Sequence, residues 1–403
     1  MKRVLIKDAT IGQRTKISGY VNEFRNLGKI KFIDIRDSSG SVQIVYRGDI
    51  DLNREDVIEA YGVFKKSNIA KKGLEFEADK IEVISKVRKK LPVDPLEKTP
   101  SEIDTRLQYR FLDLRRKSIS EIFIKKSKII NAYRNFLLSN GFIEIHPSLI
   151  IGAASEGGAE VFEVQYFEKK AYLAQSPQLY KQMAVIGGLE KVFITLPIYR
   201  AEKHNTIYHL NEAISLDIEM GFIEDYNDVM GILENVVKEM LKSIDIEPPT
   251  IKRYTYKQIV DMLNENGYKM DIGQDFTKEA EKKIYEILKE EIYFITDFPT
   301  KIRAFYTHPK DDTFSYSFDL FYKGLEIASG AQRIHDVDML EKSLIDRGLN
   351  PIDFEFYLEA FRYGVPKHGG FGMGLERFLM QALNLSNIRE ATLFPRDRTR
   401  IIP

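Results

Sequence analysis

Pro366-Lys-His-Gly-Gly-Phe-Gly-Met-Gly-Leu-Glu-Arg377 and the terminal run Phe394-Pro-Arg-Asp-Arg-Thr-Arg-Ile-Ile-Pro403 are the most informative parts of the sequence. Four glycines (Gly369, Gly370, Gly372 and Gly374) precede Leu375-Glu-Arg-Phe-Leu-Met-Gln-Ala-Leu383, whose apolar spacing is helical. Glycine lets a backbone lie flat against a ligand. A helix N-terminus that follows such a turn offers free N–H groups to an anion. Arg377, in the first turns of that helix, is placed to fork onto a phosphate oxygen. The same glycines would equally serve a tight strand-to-helix turn whose only demand is steric, so the stretch needs partners elsewhere.

Working outward, 403 residues should hold two domains with a large core. A hydrophobic content of 43% with 30% charged residues is that of a globular protein rather than a disordered or membrane-spanning one. No run of about 18 apolar residues spans a bilayer, and Met-Lys-Arg-Val-Leu-Ile-Lys-Asp at the start lacks a signal core. Zero cysteines exclude disulfides and thiolate metal sites and fit the cytoplasm. Net charge is zero, but residues 1–90 carry 20 Lys+Arg against 13 Asp+Glu, leaving the remainder acidic. A basic module beside an acidic body suits a polyanion bound mainly at one end; a solvated surface reads the same way.

Residues 1–90 alternate like short strands at 15–24, 30–36, 42–46, 60–64, 74–78 and 80–84, with hairpins at Gly28 and Ser38-Ser-Gly40. That pattern predicts a small β-barrel. Phe32 and Gln43, on consecutive strands, could stack on a single-stranded base and read its edge, or could be a core ring and a surface amide. Residues 91–117 read as a hinge with Pro92, Pro95 and Pro100, and residues 118–403 as the second domain. Helices are predicted at 119–140, 226–243 and 277–292. The stretch between about 220 and Ser317 has room for helices and linkers only.

Several residues in the second domain carry candidate chemistry. Glu156, flanked by glycines, could close over a cationic amino group or sit on an ordinary surface loop. Lys181, on a helix that Pro177 opens, could pair with a carboxylate or be solvated. Asp319 and Glu326 flank a predicted hairpin, and two carboxylates can anchor Mg²⁺ against phosphates, although a surface pair looks the same in sequence. The six histidines show no His-x-x-x-His spacing, so transition-metal catalysis is not indicated.

The glycine-Leu-Glu-Arg stretch resembles motif 3 of the class II aminoacyl-tRNA synthetases (about 366–385). Pro197-Ile-Tyr-Arg200-Ala-Glu202, with the loop to His209-Leu-Asn-Glu212, resembles motif 2 (about 192–220). Gly141-Phe-Ile-Glu-Ile-His-Pro147 resembles motif 1 (about 125–150). The motifs stand in the family's order, and the likeness spans nearly the whole chain. Among subclass IIb it is nearest the aspartyl enzymes of archaeal and eukaryotic type: Gln175-Ser-Pro-Gln-Leu-Tyr-Lys181 has the aspartyl form, whereas asparaginyl enzymes usually lack that Lys. The room before Ser317 leaves out the large domain that bacterial aspartyl enzymes insert.

The resemblance implies an α+β architecture, an N-terminal OB-fold followed by an antiparallel sheet flanked by helices. It implies ATP-dependent ligation of L-aspartate to tRNA-Asp through an aspartyl-adenylate, with Mg²⁺, in a cytoplasmic homodimer. Charging of tRNA-Asn as well, an asparaginyl enzyme and a non-catalytic tRNA-binding paralogue are the alternatives. The residues implied for catalysis are Arg200 and Arg377; those for ATP also include Glu202, His209, Glu326 and Gly374. Aspartate would be held by Glu156, Gln178, Lys181, Asp217, Ser329 and Arg333, with Lys181 and Arg333 making a doubly cationic pocket. Mg²⁺ would take Asp319, Glu326 and Ser329, and the anticodon Arg25, Phe32, Gln43 and Glu75. His204 would lie on the loop that meets the acceptor stem, discrimination between tRNAs would involve Asn22 and the 71–73 loop, and His335 and His368 would line the pocket. One departure is Ala213, where many relatives have a phenylalanine that stacks on adenine.

Overall fold

The computed structural model describes residues 1–68, 73–152, 160–203 and 205–403. The chain forms two compact units, Met1–Leu112 and Asp113–Pro403.

In the first unit β1 (Arg14–Leu27), β2 (Ile30–Asp37), β3 (Gly40–Tyr46), β4 (Val57–Lys66) and β5 (Leu74–Ser85) close into a barrel in the order β1-β2-β3-β5-β4. Strict alternation sends Ile17, Val21, Ile33, Ile35, Ile44, Ile58, Phe64 and Phe76 inward to form its core. The two strands expected at 74–78 and 80–84 are one. Tyr61 pairs with Lys80 and Gly62 with Ala78, so Asp79 is the extra residue of a bulge that bends the strand without ending it. Gly62 is required at that bend, because a Cβ there would overlap the carbonyl of Glu77. Two short helices, α1 (Ile103–Gln108) and α2 (Arg110–Asp113), lie within the predicted hinge.

The second unit opens with α3 (Lys117–Ser139), an uninterrupted helix that buries Ile119, Ile122, Ile129, Tyr133 and Leu137. It stops where Gly141 takes φ 79°. Next come β6 (Ile143–Glu144), β7 (Ile150–Ile151), β8 (Glu163–Tyr166), β9 (Lys169–Leu173), α4 (Gln178–Ala184), β10 (Lys191–Tyr199), β11 (Glu212–Gly221) and α5 (Tyr226–Lys242). They are followed by β12 (Lys252–Thr255), α6 (Tyr256–Glu265), α7 (Lys278–Leu288), β13 (Ile292–Thr296), β14 (Ser317–Tyr322) and β15 (Leu325–Gln332). The chain finishes with α8 (Val337–Asp346), α9 (Glu355–Phe361), β16 (His368–Gly374) and α10 (Leu375–Ala382). Eight strands form one sheet in the order β12-β13-β14-β15-β16-β11-β10-β6. Its pairs are antiparallel except at the two edges, where β12 runs parallel to β13 and β6 to β10. A small sheet holds β7, β9 and β8.

Two expectations need correction. The segment before Ser317 contains strands β12 and β13 as well as helices. The helix expected over 277–292 ends at Leu288, because Lys289 adopts left-handed backbone and Ile292 begins β13. Among the described residues no helix is long and apolar enough to cross a membrane.

One face of the large sheet is apolar. Leu216, Ile218, Met220, Phe318, Leu320, Phe371 and Met373 pack there with residues of α3, α5 and α10. The period of two leaves Ser215, Asp217 and Glu219 of β11, Asp319 of β14, and Gly370 and Gly372 of β16 for the other face. Gly62→Ala should destabilise the barrel by about 2 kcal/mol through the forced backbone shift. Amide hydrogen exchange would then rise in β4 and β5 and stay unchanged in β14–β16.

Candidate active site

The polar face of the large sheet floors a cavity of about 360 Å³, whose lining includes Gln178, Arg200, Glu202, His209, Asp217, Arg303, Glu326, Ser329, Arg333, Gly374 and Arg377. Strand register explains why. β11 pairs with β16 so that Asp217 faces Gly372 and Ser215 faces Gly374. A Cβ on Gly370 would collide with the carboxylate of Glu219, and one on Gly372 would come within 3.1 Å of Asp217 Oδ2. The glycine run is therefore a central strand, not a loop. Its missing side chains make room for two carboxylates.

Those carboxylates anchor a buried charge cluster. Lys181 Nζ donates to Asp217 Oδ2 at 2.8 Å and to the Phe371 carbonyl at 3.1 Å, and lies 3.5 Å from Glu219 Oε2. Arg333 donates from Nε to Glu219 Oε1 at 3.0 Å, and from Nη2 to Gly370 O at 2.9 Å and Gln178 Oε1 at 3.3 Å. Burial opposes the charge on Glu219, yet Arg333 and then Lys181 hold its carboxyl below the ordinary range. Burial likewise opposes the charge on Arg333, which Glu219 restores.

The cluster thus holds two cations and two anions, so the two cations do not stand alone as a doubly cationic pocket. Glu219 is the residue that sequence reading missed, although it follows Asp217 by two and shares its face. Of the two cations only Arg333 reaches the cavity wall; Lys181, 1% exposed, acts from behind it. His368 is also behind the wall. Burial lowers its pKa to about 4, so it is neutral; Gln182 Nε2 meets its Nε2 at 2.9 Å and its Nδ1 meets the Pro366 carbonyl at 2.9 Å. His335 stacks on His308 at 5.4 Å, and neither His335 nor His368 lines the cavity.

A second group of charges sits at the same cavity, where Glu326, Ser329 and Arg303 belong to the lining and the buried Asp319 does not. β14 pairs with β15 so that Asp319 lies opposite Ser329. Two residues separate Glu326 from Ser329, which in a regular strand would put them on opposite faces. A register shift pairs Phe321 with Glu326 and Leu320 with Ala328, so Ile327 is extra and Glu326 turns to the side of Asp319. Burial, and then the charge of Asp319, push the Glu326 carboxyl up to about 7. Arg303, also missed in the sequence, forks onto Asp319. Arg377, on the first turn of α10, reaches the Glu326 carbonyl at 3.4 Å, and Arg200 follows β10. The loop after Arg200 is tied down by Asn211, which donates to the Arg200 carbonyl at 2.7 Å. His209 lies 3.6 Å from Glu202, and Ala213 pairs with Ile198 on an apolar strip of the lining.

Two carboxylates and a hydroxyl on one face are hard oxygen donors that suit Mg²⁺. Among the described residues no group of three or more His, Cys, Asp or Glu could hold a metal. An ion here would thus complete its shell with phosphate oxygens and water. Glu156 and His204 lie outside the described residues.

On the barrel, Arg25 pairs with Phe32, Asp34 with Gln43, and Gln43 with Glu75. Arg25 donates to Gln43 Oε1 at 3.2 Å and sits 5.9 Å from the Phe32 ring centroid. These four residues share the outer face of neighbouring strands. Asn22 donates to Asp34 Oδ2 at 2.8 Å; residues 71 and 72 lie outside the described set.

With this geometry established, comparison with known proteins identifies the class. Residues 102–398 match the family described as tRNA synthetases class II (D, K and N), and residues 15–84 match the OB-fold nucleic acid binding domain. The chain belongs to the class II tRNA synthetases of that group. It is 46% identical to the Methanopyrus kandleri protein named aspartate--tRNA(Asp/Asn) ligase, over 97% of this chain and 96% of that one. It is 43% identical to the Picrophilus torridus aspartate--tRNA(Asp) ligase over the whole of both. Its fold matches asparaginyl-tRNA synthetase from Pyrococcus horikoshii with TM-score 0.92 and 32% identity, all of both chains being covered. It also matches aspartyl-tRNA synthetase from Entamoeba histolytica with TM-score 0.87 and 32% identity, over 100% of this chain and 93% of that one.

The raised Glu326 carboxyl sets a pH dependence. If Glu326 takes part in holding Mg²⁺, as the resemblance implies, binding needs its carboxylate, which is lost as pH falls through about 7. The Mg²⁺ concentration that half-saturates ATP–pyrophosphate exchange should rise about fivefold from pH 7 to pH 6 and level off above pH 8. Glu326→Gln should flatten that profile.

Proposed function

We propose that the protein joins L-aspartate to tRNA-Asp, using ATP, through an aspartyl-adenylate. The observation that carries this reading is the placing of Arg333 and Asp217, opposite in charge, in the lining of one cavity with Arg200 and Arg377. Aspartate offers a side-chain carboxylate to the cavity side of the Arg333 guanidinium, with Lys181 adding charge from behind, and an ammonium to Asp217. Gln178 and Ser329 flank them, and Glu156 belongs to the same proposed set. A neutral asparagine amide would bring no second anion to a guanidinium that Glu219 already partners, and would leave the substrate ammonium without its internal counter-charge.

The α-carboxylate of aspartate attacks the α-phosphorus of ATP and pyrophosphate leaves. The terminal ribose hydroxyl of the tRNA then attacks the acyl carbonyl and AMP leaves. Arg200 orients the α-phosphate and the carboxylate, Arg377 holds the outer phosphates beside Gly374, and Glu202 and His209 bound the nucleotide. Asp319, Glu326 and Ser329 would hold Mg²⁺, which when bound neutralises phosphate charge. Orientation and charge stabilisation suffice without a protein nucleophile. The anticodon would meet Arg25, Phe32, Gln43 and Glu75.

We infer a cytoplasmic homodimer, supported by a groove lined by Phe123, Ile130 and Phe394 along α3 and by the exposed Ile124, Leu138 and Ile143. Charging of tRNA-Asn as well is the second reading, since the Methanopyrus kandleri relative at 46% identity is named for both tRNAs and the Picrophilus torridus relative at 43% for tRNA-Asp alone.

Labelled aspartate offered with tRNA-Asp and tRNA-Asn transcripts side by side should reach tRNA-Asp; no charging of tRNA-Asp would overturn the proposal, and charging of both would establish the broader activity. Arg200→Ala should lower aspartate-dependent ATP–pyrophosphate exchange by about 10³-fold, and wild-type exchange in that variant would remove Arg200 from the mechanism.

A further inference from the structure

Arg303 lies just beyond the short turn Thr300–Ile302, in a stretch with no motif of its own. Its Nη1 donates to Asp319 Oδ2 at 2.9 Å and its Nη2 to Asp319 Oδ1 at 2.6 Å. Nη2 also donates to Ser329 Oγ at 2.8 Å and to the Phe318 carbonyl at 3.3 Å. The guanidinium lies 4.5 Å from the centroid of the Phe298 ring, and its own carbonyl accepts from Arg347 Nη2 at 3.2 Å. The side chain is 13% exposed, and it lines the cavity. One guanidinium therefore engages both oxygens of Asp319 and the hydroxyl of Ser329, two of the three groups proposed for Mg²⁺.

A fork this well made competes with any cation for the same oxygens. Its charge is also fixed: burial works against it, and Asp319 more than restores it. We propose that Arg303 is a resident counter-ion of the metal site. In the nucleotide-free enzyme it neutralises Asp319 and keeps a free divalent cation out. Nucleotide phosphates, facing the same cavity, give the guanidinium a second anionic partner and release the carboxylate, so metal and ATP enter together. Binding of metal and nucleotide is then coupled through one side chain, and the coupling must be reciprocal. This inference rests on the proposed metal role of Asp319, Glu326 and Ser329.

The test is Mn²⁺ titration of the full chain followed by the electron spin resonance signal of free Mn²⁺, with and without a non-hydrolysable ATP analogue. Without nucleotide, Arg303→Met should bind Mn²⁺ about tenfold more tightly than wild type, and the double variant Arg303→Met/Asp319→Asn should lose that gain. Arg303→Lys keeps a charge but cannot fork onto Asp319 and Ser329 together, so it should show a smaller gain; it also serves if the methionine variant does not fold. Nucleotide-free Mn²⁺ binding no tighter in either variant than in wild type, with Mn²⁺ still bound beside the analogue, would overturn the counter-ion role alone. No Mn²⁺ binding in any form, even with the analogue, would overturn the metal site as well.

Discussion

Two carboxylates on one strand, Asp217 and Glu219, have to stay ionised with almost no water around them, and much of the catalytic unit is arranged to permit it. Burying a charge without a partner is prohibitive. Lys181 comes from α4, Arg333 from the end of β15, and the glycines of β16 open the space in which they meet. Gln178 and Gln182 link the ion pairs to Tyr357 and to a neutral His368. Removing one member would strand another, so the pocket is rigid for electrostatic reasons as much as for packing.

The apolar side of the same sheet carries a second constraint. Glu376, beside Arg377 on α10, turns its carboxylate to β11 and α3. It accepts the Ile214 amide of β11 at 2.9 Å and pairs with Lys126 of α3 at 2.7 Å. Lys126 also donates to the Ala391 carbonyl at 3.0 Å. One buried carboxylate thus ties the three motif-bearing segments together, and Glu376 and Ala213 border both the cavity and the groove along α3. Whatever covers that groove lies one side chain from the cavity.

What could be read in the sequence follows from where the physical signal resides. Barrel strands and long helices announce themselves by period, and the glycine run by its composition. Arg200, Arg377, Asp319 and Arg333 stand in stretches with a local pattern. Glu219 was in plain view in Ser215-Leu-Asp-Ile-Glu219, but its partner Arg333 lies 114 residues away and only folding joins them. Arg303 has no pattern to betray it. The turning of Glu326 toward Asp319 depends on a bulge that residue types do not encode, and the end of α7 depends on the backbone of Lys289, across which the apolar spacing continues.

The backbone does not decide which amino acid is taken, since the fold matches an asparaginyl and an aspartyl enzyme about equally well. Charge balance can decide. The cluster of Lys181, Arg333, Asp217 and Glu219 is neutral before any ligand enters. On the proposed assignment, aspartate brings to it an ammonium and a side-chain carboxylate, which cancel, while its α-carboxylate faces Arg200. Asparagine brings the ammonium alone. In a pocket with little water to solvate the difference, that uncompensated charge is costly. Selectivity would then come from the requirement that the filled pocket stay neutral, and Glu219 would matter to it without touching the substrate, because it sets the charge that the substrate must match.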